Sequence, residues 1–572
     1  MKYAGSLLIC LCFSFSALAQ SAPAISDQMT EVAPLIIQFH ADEGSLLRFY
    51  TVANSPERRQ RLTAFYNDYG TRLKAMPFES MSVGGKADYL LFQRTLDNLL
   101  FLLNEEGLEY ANVDKLINYA EPIYTLEKDR RRGKHLESTA VAGSLNAILN
   151  DVRERTKNIA RTEDLTRADV RRVTGIIQGH RAALKSVFEF YDGYDPDFSW
   201  WITKPYHKLD TALMQYADAM QTKVNKLALP KDDGSGIIGY PIGVKELTRL
   251  LELEMIPYSP EELIDIANKE FAWCDRELLK ASQEMGFGNE WKKAQEKVKQ
   301  SFVAPGHQPE AMLELYDQSV DFLKKHDLIT IPPVAEESWR MEMMSPKDQL
   351  VSPFFLGGEV LQISYPTDAM THPDKLMSMR GNNPHFSRAT IHHELIAGHH
   401  LQGFMMERYK NYRHYYSPFW MEGWALYWEM VLWDMKFPRG PEDRIGMLFW
   451  RMHRCARIIF SLNYHLGKWT PQQCIDFLVD RVGHERANAE AEVRRSFTSY
   501  YGPLYQLAYM TGALQFYALK RELVDSGKMT LKQYHDAVMR ENAMPVEMVR
   551  AILINAPLSR DFKTSWRFYA PR

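Results

Sequence analysis

Between residues 392 and 400 the chain reads HHELIAGHH, four histidines and one glutamate in nine positions. A zinc site of the H-E-x-x-H type puts two histidines four residues apart on one helix face, with the glutamate as general base. His393-Glu394 begins such a motif, but the fourth place after His393 is Ala397, and the next histidines are His399 and His400. On a regular helix each residue turns about 100° and rises about 1.5 Å. His399 would lie about 240° around from His393, and His400 would return to the same face about 10.5 Å along the axis. Zinc–nitrogen bonds are only about 2.0–2.1 Å long, so neither pair shares a metal on a straight helix. Ala397-Gly398 offers a remedy, because glycine tolerates backbone conformations closed to other residues and bulges inside helices recur at functional sites. A bulge that absorbs two residues makes His399 the second ligand. His400 would need three absorbed and is the runner-up, or a group facing substrate.

A catalytic zinc needs a third protein ligand and an open position for water. Downstream stands SPFWMEGWALYWE, residues 417–429, where Ser417-Pro418 reads as a helix start. Glu422 lies among aromatic and apolar neighbours, and a buried acid is costly unless it is paired or bound to metal. A salt bridge to Arg451 or Arg454 is the plain alternative; beside the histidine cluster, Glu422 is read as the third ligand. Glu429, two turns on, is placed to hold a histidine ring. Glu394 can then take a proton from a water on the zinc and return it to the leaving amine.

The elements that must position these groups are mostly helical. Lys86–Leu103, Val141–Ile159, Val170–Phe190 and Val244–Leu253 carry apolar residues at helical spacing. Ser259-Pro260 and Thr470-Pro471 read as helix N-caps with proline in the first turn. Ser387 is read as the cap of a helix running from Arg388 to Glu394, after turn chemistry at Asn382-Asn383-Pro384. The strand-like runs are Gln349–Phe355 and Glu359–Tyr365, and the second could pair with an extended peptide. Gly234 to Gly239 spells G-x-G-x-x-G, but a loop precedes it and Pro241 follows, so it reads as a connection rather than a phosphate site.

The chain has 572 residues, 45% hydrophobic and 25% charged, with a formal net charge of −3. That length exceeds one hydrophobic core, and the charge balance gives no reason to expect nucleic acid or an anionic membrane as partner. Residues 1–19 read as a signal peptide, with Lys2, an apolar run and Ala17-Leu18-Ala19 before Gln20. Cys10 and Cys12 lie inside that run, which argues against a lipid anchor, and no later span of about 20 apolar residues occurs. The expected location is periplasmic or secreted. Residues 24–330 read as an N-terminal helical region and 331–572 as the region carrying the chemistry. Cys274, Cys455 and Cys474 form no CxxC pair; they are read as buried thiols or as one Cys455–Cys474 bridge. No G-x-S-x-G occurs in the mature chain, which argues against an elbow-type serine hydrolase.

HHELIAGHHLQ followed by FWMEGWALYWE resembles the bacterial domain-of-unknown-function family 885, whose pattern is HE-x-x-P-G-H-H-L-Q and then E-G-W-A-x-Y-x-E. Residues 243–267 and 500–522 are similar to further segments of that family. The resemblance implies a gluzincin-type zinc peptidase. It would be mainly α, multi-helical and zincin-like, with a small β element near the active-site cleft. It implies His393, His399 and Glu422 as zinc ligands, Glu394 as general base and a peptide substrate. Enzymes of that type use a Tyr or His to stabilise the oxyanion, and Tyr501 and Tyr509 are the candidates, with Tyr509 taken forward. Arg494 or Arg495 could pair with a peptide carboxylate. The chain has Ala397 where the family usually has proline, and Pro503-Leu504-Tyr505-Gln506 in place of the more usual Pro-Gly-Gln-Ala type of sequence. The alternative function is a non-catalytic periplasmic binding or scaffold protein with a vestigial metal site. The sequence does not specify an oligomeric state.

Overall fold

The computed structural model describes residues 28–571 except 163–164, 227–231, 350–353 and 499–500; the expected signal peptide lies outside the described residues. The protein is mainly helical. Each of the four periodic segments falls in a helix: Val83–Ile117, Ser138–Asn158, Arg167–Tyr191 and Gly243–Leu253. Two apolar cores hold the described residues together. The smaller gathers side chains from Val113 to Val224 together with Val52. The larger runs from Val32 to Phe568 and takes side chains from both sides of residue 330. No helix among the described residues is long and apolar enough to cross a membrane.

The helices around the histidine cluster explain its geometry. Helix α1 (Pro260–Glu284) starts at a full capping box: Ser259 Oγ accepts from the Glu262 N–H at 3.2 Å, and the Glu262 carboxylate accepts from the Ser259 N–H at 2.8 Å. Helix α2 (Pro384–Glu394) carries His393 and Glu394. It starts four residues earlier than the Ser387 cap would allow. Asn383 is the cap, accepting from His385 and Phe386 N–H groups at 3.1 Å each, and Pro384 fits the first helical position. Ser387 is buried inside the helix. Helix α3 (His399–Met406) follows after a break, and α4 (Pro418–Asp434) carries Glu422 and Glu429. Next come α5 (Pro441–His465), α6 (Arg486–Thr498) and α7 (Tyr505–Lys520).

Helix α4 is buried nearly all round, with Trp420, Trp424 and Trp428 fully buried and Glu422 and Glu429 as its buried acids, as suits a helix in the middle of a core. It meets α7 backbone to backbone. A Cβ on Gly423 would sit 2.5 Å from Gly512 Cα, and one on Gly512 would sit 2.0 Å from the Phe419 carbonyl oxygen. Helix α2 is fixed to α5 by Asp443, whose carboxylate meets His385 Nδ1 at 2.6 Å and Arg388 Nε at 3.0 Å. The Trp450 indole N–H also donates to the Phe386 carbonyl at 3.0 Å.

The small β element is a parallel pair, β1 (Arg340–Met343) and β2 (Val360–Ile363). β2 falls within the expected Glu359–Tyr365 run, while most of the other expected run, Gln349–Phe355, lies outside the described residues. Gln349 ends a short helix from Pro346, because Ser345 Oγ accepts from the Asp348 N–H at 3.2 Å and starts a helical turn instead. Leu356 forms an isolated antiparallel bridge with Gln362. With β1 on one side and Leu356 on the other, the backbone of β2 at Gln362 is already paired, so the expected peptide-docking edge is closed at that residue. The G-x-G-x-x-G stretch is a loop, in which Asp232 Oδ1 accepts from Gly234 and Gly236 N–H groups at 3.0 Å each. Cys274, Cys455 and Cys474 are buried free thiols, and no Cys455–Cys474 bridge forms.

Candidate metal centre

The expected bulge is replaced by a full break. Helix α2 ends at Glu394, the chain turns back over the helix end through Leu395–Gly398, and α3 starts at His399. Gly398 makes the turn feasible by lying directly on the last carbonyls of α2. A Cβ there would sit 1.8 Å from the His393 oxygen and 2.6 Å from the His392 oxygen. The Trp424 indole N–H holds the turn from α4 by donating to the Ala397 carbonyl at 2.9 Å. A bulge and this break give the same choice of histidine, since either brings His399 back beside His393.

His393, His399 and Glu422 each offer one atom to a common point, all within 4.8 Å of one another. His399 Nε2 is 3.1 Å and His393 Nε2 3.5 Å from Glu422 Oε2. The outer ring nitrogens are occupied: His393 Nδ1 meets Glu429 Oε1 at 2.8 Å, and His399 Nδ1 meets Gln402 Oε1 at 3.1 Å. Those partners accept from the Nδ1 hydrogens, so each Nε2, turned toward Glu422, is the nitrogen that can give up its proton to a metal. Glu422 and Glu429 stand two helical turns apart and clasp the His393 ring from opposite ends. Two imidazoles and one carboxylate are the donor set of catalytic zinc sites, so the residues present fit that ion. Arg451, a candidate partner for Glu422, binds Glu270 at 2.6 Å instead, and Arg454 lies nearest Glu429 at 3.6 Å. His400 is turned away, with its Nε2 2.6 Å from the Ala335 carbonyl, and does not join the cluster.

Glu394 lines the same cavity, about 340 Å³ in volume, but is not one of the three converging residues. Burial pushes its carboxyl above the usual range, although His393 and His399 pull the other way. Burial also opposes ionisation of Glu422, but His399 and His393 outweigh it and hold that carboxyl well below the usual range. Gly357 closes over Glu394 from the loop before β2; a Cβ on it would come within 2.5 Å of Glu394 Cα.

Tyr501 and Tyr509 both reach the cavity. The Tyr509 ring lies nearly parallel to His393, 6.1 Å between centroids, and its hydroxyl is 3.4 Å from that of Tyr505. Sequence reasoning missed Tyr505, whose hydroxyl donates to Glu422 Oε1. Its signal was the four-residue spacing to Tyr509, which puts both on one face of α7. Also missed was the arginine face of α5, Arg454 and Arg457, which with Arg495 of α6 lines the cavity; Arg494 instead donates to the Gly236 carbonyl at 3.2 Å.

Glu492 anchors that face. Its carboxylate accepts from Arg457 Nε at 2.6 Å and pairs with Arg495 at 2.9 Å, with His453 3.7 Å away. Burial works against the carboxylate, but Arg457 and Arg495 hold it down to about 2. An unfolded glutamate titrates near about 4.3. The stabilisation is therefore present above that pH and is lost as pH falls toward about 2. Glu492→Gln, which leaves two buried guanidinium groups short of an anion, is expected to destabilise the protein by about 3–5 kcal/mol at pH 7. Urea unfolding at pH 7 and pH 3 should show the gap to wild type narrowing at the lower pH.

The description "bacterial protein of unknown function (DUF885)" matches residues 51–553. No curated protein matches the chain. Among solved structures, a candidate lipoprotein of unknown function from Shewanella oneidensis is similar over 93% of this chain and 100% of its own, at 14% identity and a TM-score of 0.63. A candidate lipoprotein from Colwellia psychrerythraea is similar over 92% of this chain and 98% of its own, at 16% identity and a TM-score of 0.56. At these identities the likeness is one of fold.

Proposed function

Since the chain belongs to the bacterial DUF885 family, whose function is unknown, we propose an activity from its site: a zinc-dependent, gluzincin-type peptidase that hydrolyses short peptides. The observation that carries this is the convergence of His393, His399 and Glu422 beside Glu394, in a cavity open to substrate. Zinc held by those three residues would supply a Lewis acid for the scissile carbonyl and lower the pKa of water. Glu394 takes the proton from the attacking water and delivers it to the leaving amine, a task suited to a carboxyl whose proton affinity is raised by burial. Tyr509, kept protonated by burial, donates to the carbonyl oxygen as charge develops there. Glu429 and Gln402 hold the two imidazoles in register. The small cavity suits chain ends and oligopeptides better than folded proteins. The leader-like residues 1–19 and the fold shared with candidate lipoproteins support export to the periplasm or beyond.

The test is a mixed pool of short peptides incubated with zinc-loaded protein. New α-amino groups should appear, stop on chelation and resume when zinc is restored. A pool left intact by fully loaded protein would contradict the reading.

A further inference from the structure

Resting on that peptidase reading, we propose that the arginine wall of the cavity is a carboxylate subsite. The enzyme would grip its substrate by the free C-terminal carboxylate and cut near that end. Trp450, Arg454 and Arg457 follow one another at four and three residues, so α5 presents them on one face. Arg495 joins them from α6, and all four line the cavity that holds His393 and Glu394.

Hydrogen-bonding groups on this wall are left unfilled. Arg454, Arg457 and Arg495 are 4%, 3% and 9% exposed. Glu492 serves Arg457 and Arg495 together. The acid nearest Arg454 is Glu429, whose Oε1 is 3.6 Å away, beyond hydrogen-bond reach, and is taken by His393 at 2.8 Å, while its Oε2 is buried without a partner. Among the described residues Arg454 has no hydrogen-bond partner, and Arg454 Nε and Arg457 Nη1 are both buried without one. The Tyr509 ring, 4.9 Å from the Arg454 guanidinium and 4.4 Å from that of Arg457, offsets part of the desolvation but accepts no in-plane hydrogen bond. A buried guanidinium with N–H groups left unfilled is costly, and the anion that matches its planar fork is a carboxylate.

Size points to a chain terminus as the source of that carboxylate. A cavity of about 340 Å³ is at the small end for a ligand site and matches a chain end better than a long stretch of polypeptide. A C-terminal residue fills it and ends where the arginines are.

The experiment uses one pool of acetylated random hexapeptides, made once as free acids and once as C-terminal amides, with zinc-loaded full-length protein and mass-spectrometric readout. The acid pool should lose residues from its C-terminal end, and the amide pool should react about tenfold more slowly or less. Arg454→Gln should raise KM on the acids about tenfold with a much smaller change in kcat, and so narrow the preference for acids over amides about tenfold. The wild-type comparison stands whether or not that variant folds. Equal rates on both pools, with internal cuts, would overturn the subsite and leave the peptidase. Cleavage of amides confined to bonds beside an Asp or Glu side chain would overturn it in favour of acidic side chains. If neither pool is cut, the peptidase reading falls and the subsite with it.

Discussion

Replacing Glu394 by glutamine is expected to lower kcat on peptides by about 10²–10⁴-fold, the range that a positioned general base contributes. Zinc content should stay unchanged, because Glu394 is not among the three converging residues. The substitution keeps the shape of the side chain under Gly357 and removes only its capacity to take a proton, so the folded state should survive. KM should move little, since the lost interaction belongs to the transition state. Steady-state kinetics with metal analysis on the same sample checks all three statements. Full activity in the variant would remove Glu394 from the chemistry.

The second large effect is predicted at Gly398, which contacts no substrate. Space is the issue: an added methyl would lie 1.8 Å from the His393 carbonyl oxygen and 2.5 Å from its carbon. These are backbone atoms of a helix end and cannot rotate away. Gly398→Ala must push α3 off α2 and separate His399 from His393. Overpacking in a core costs about 1–3 kcal/mol, and this clash with fixed backbone belongs at the upper end of that range or beyond it. Bound zinc and activity should both be lost. Gly403→Ala, five residues on in α3 with nothing within 4 Å of the new methyl, is the control. It should keep the metal and gain about 0.5–1 kcal/mol from the better helix former. Thermal unfolding and zinc content of the two variants separate crowding at the turn from any general effect of losing a glycine.

How far the sequence reaches is visible at particular residues. The helices of the N-terminal half were legible because an apolar stripe at helical spacing is a local signal. The convergence of His399 with His393 was legible because a straight helix forbids it and Gly398 permits a departure. The form of the departure was not, since residue spacing cannot distinguish a bulge from a chain that turns back over the helix end. Asn383 displaced Ser387 as the cap because two competent caps stood close together, and Pro384 decided between them. The strand expectation at Gln349 failed because Ser345 starts a helical turn that runs through Gln349. Tyr505 and the arginine face of α5 went unread because their significance lies in which helices meet. That depends on the contact of Gly423 with Gly512 and on Asp443, contacts across 58 or more residues of chain.

The central claim is that His393, His399 and Glu422 hold one zinc ion. It is tested most directly by elemental analysis of wild type, His399→Ala and His400→Ala, each shown to be folded. Wild type and His400→Ala should carry about one zinc per chain, and His399→Ala should carry essentially none. Wild type that takes up no zinc when it is supplied, or a loss confined to His400→Ala, would contradict the account.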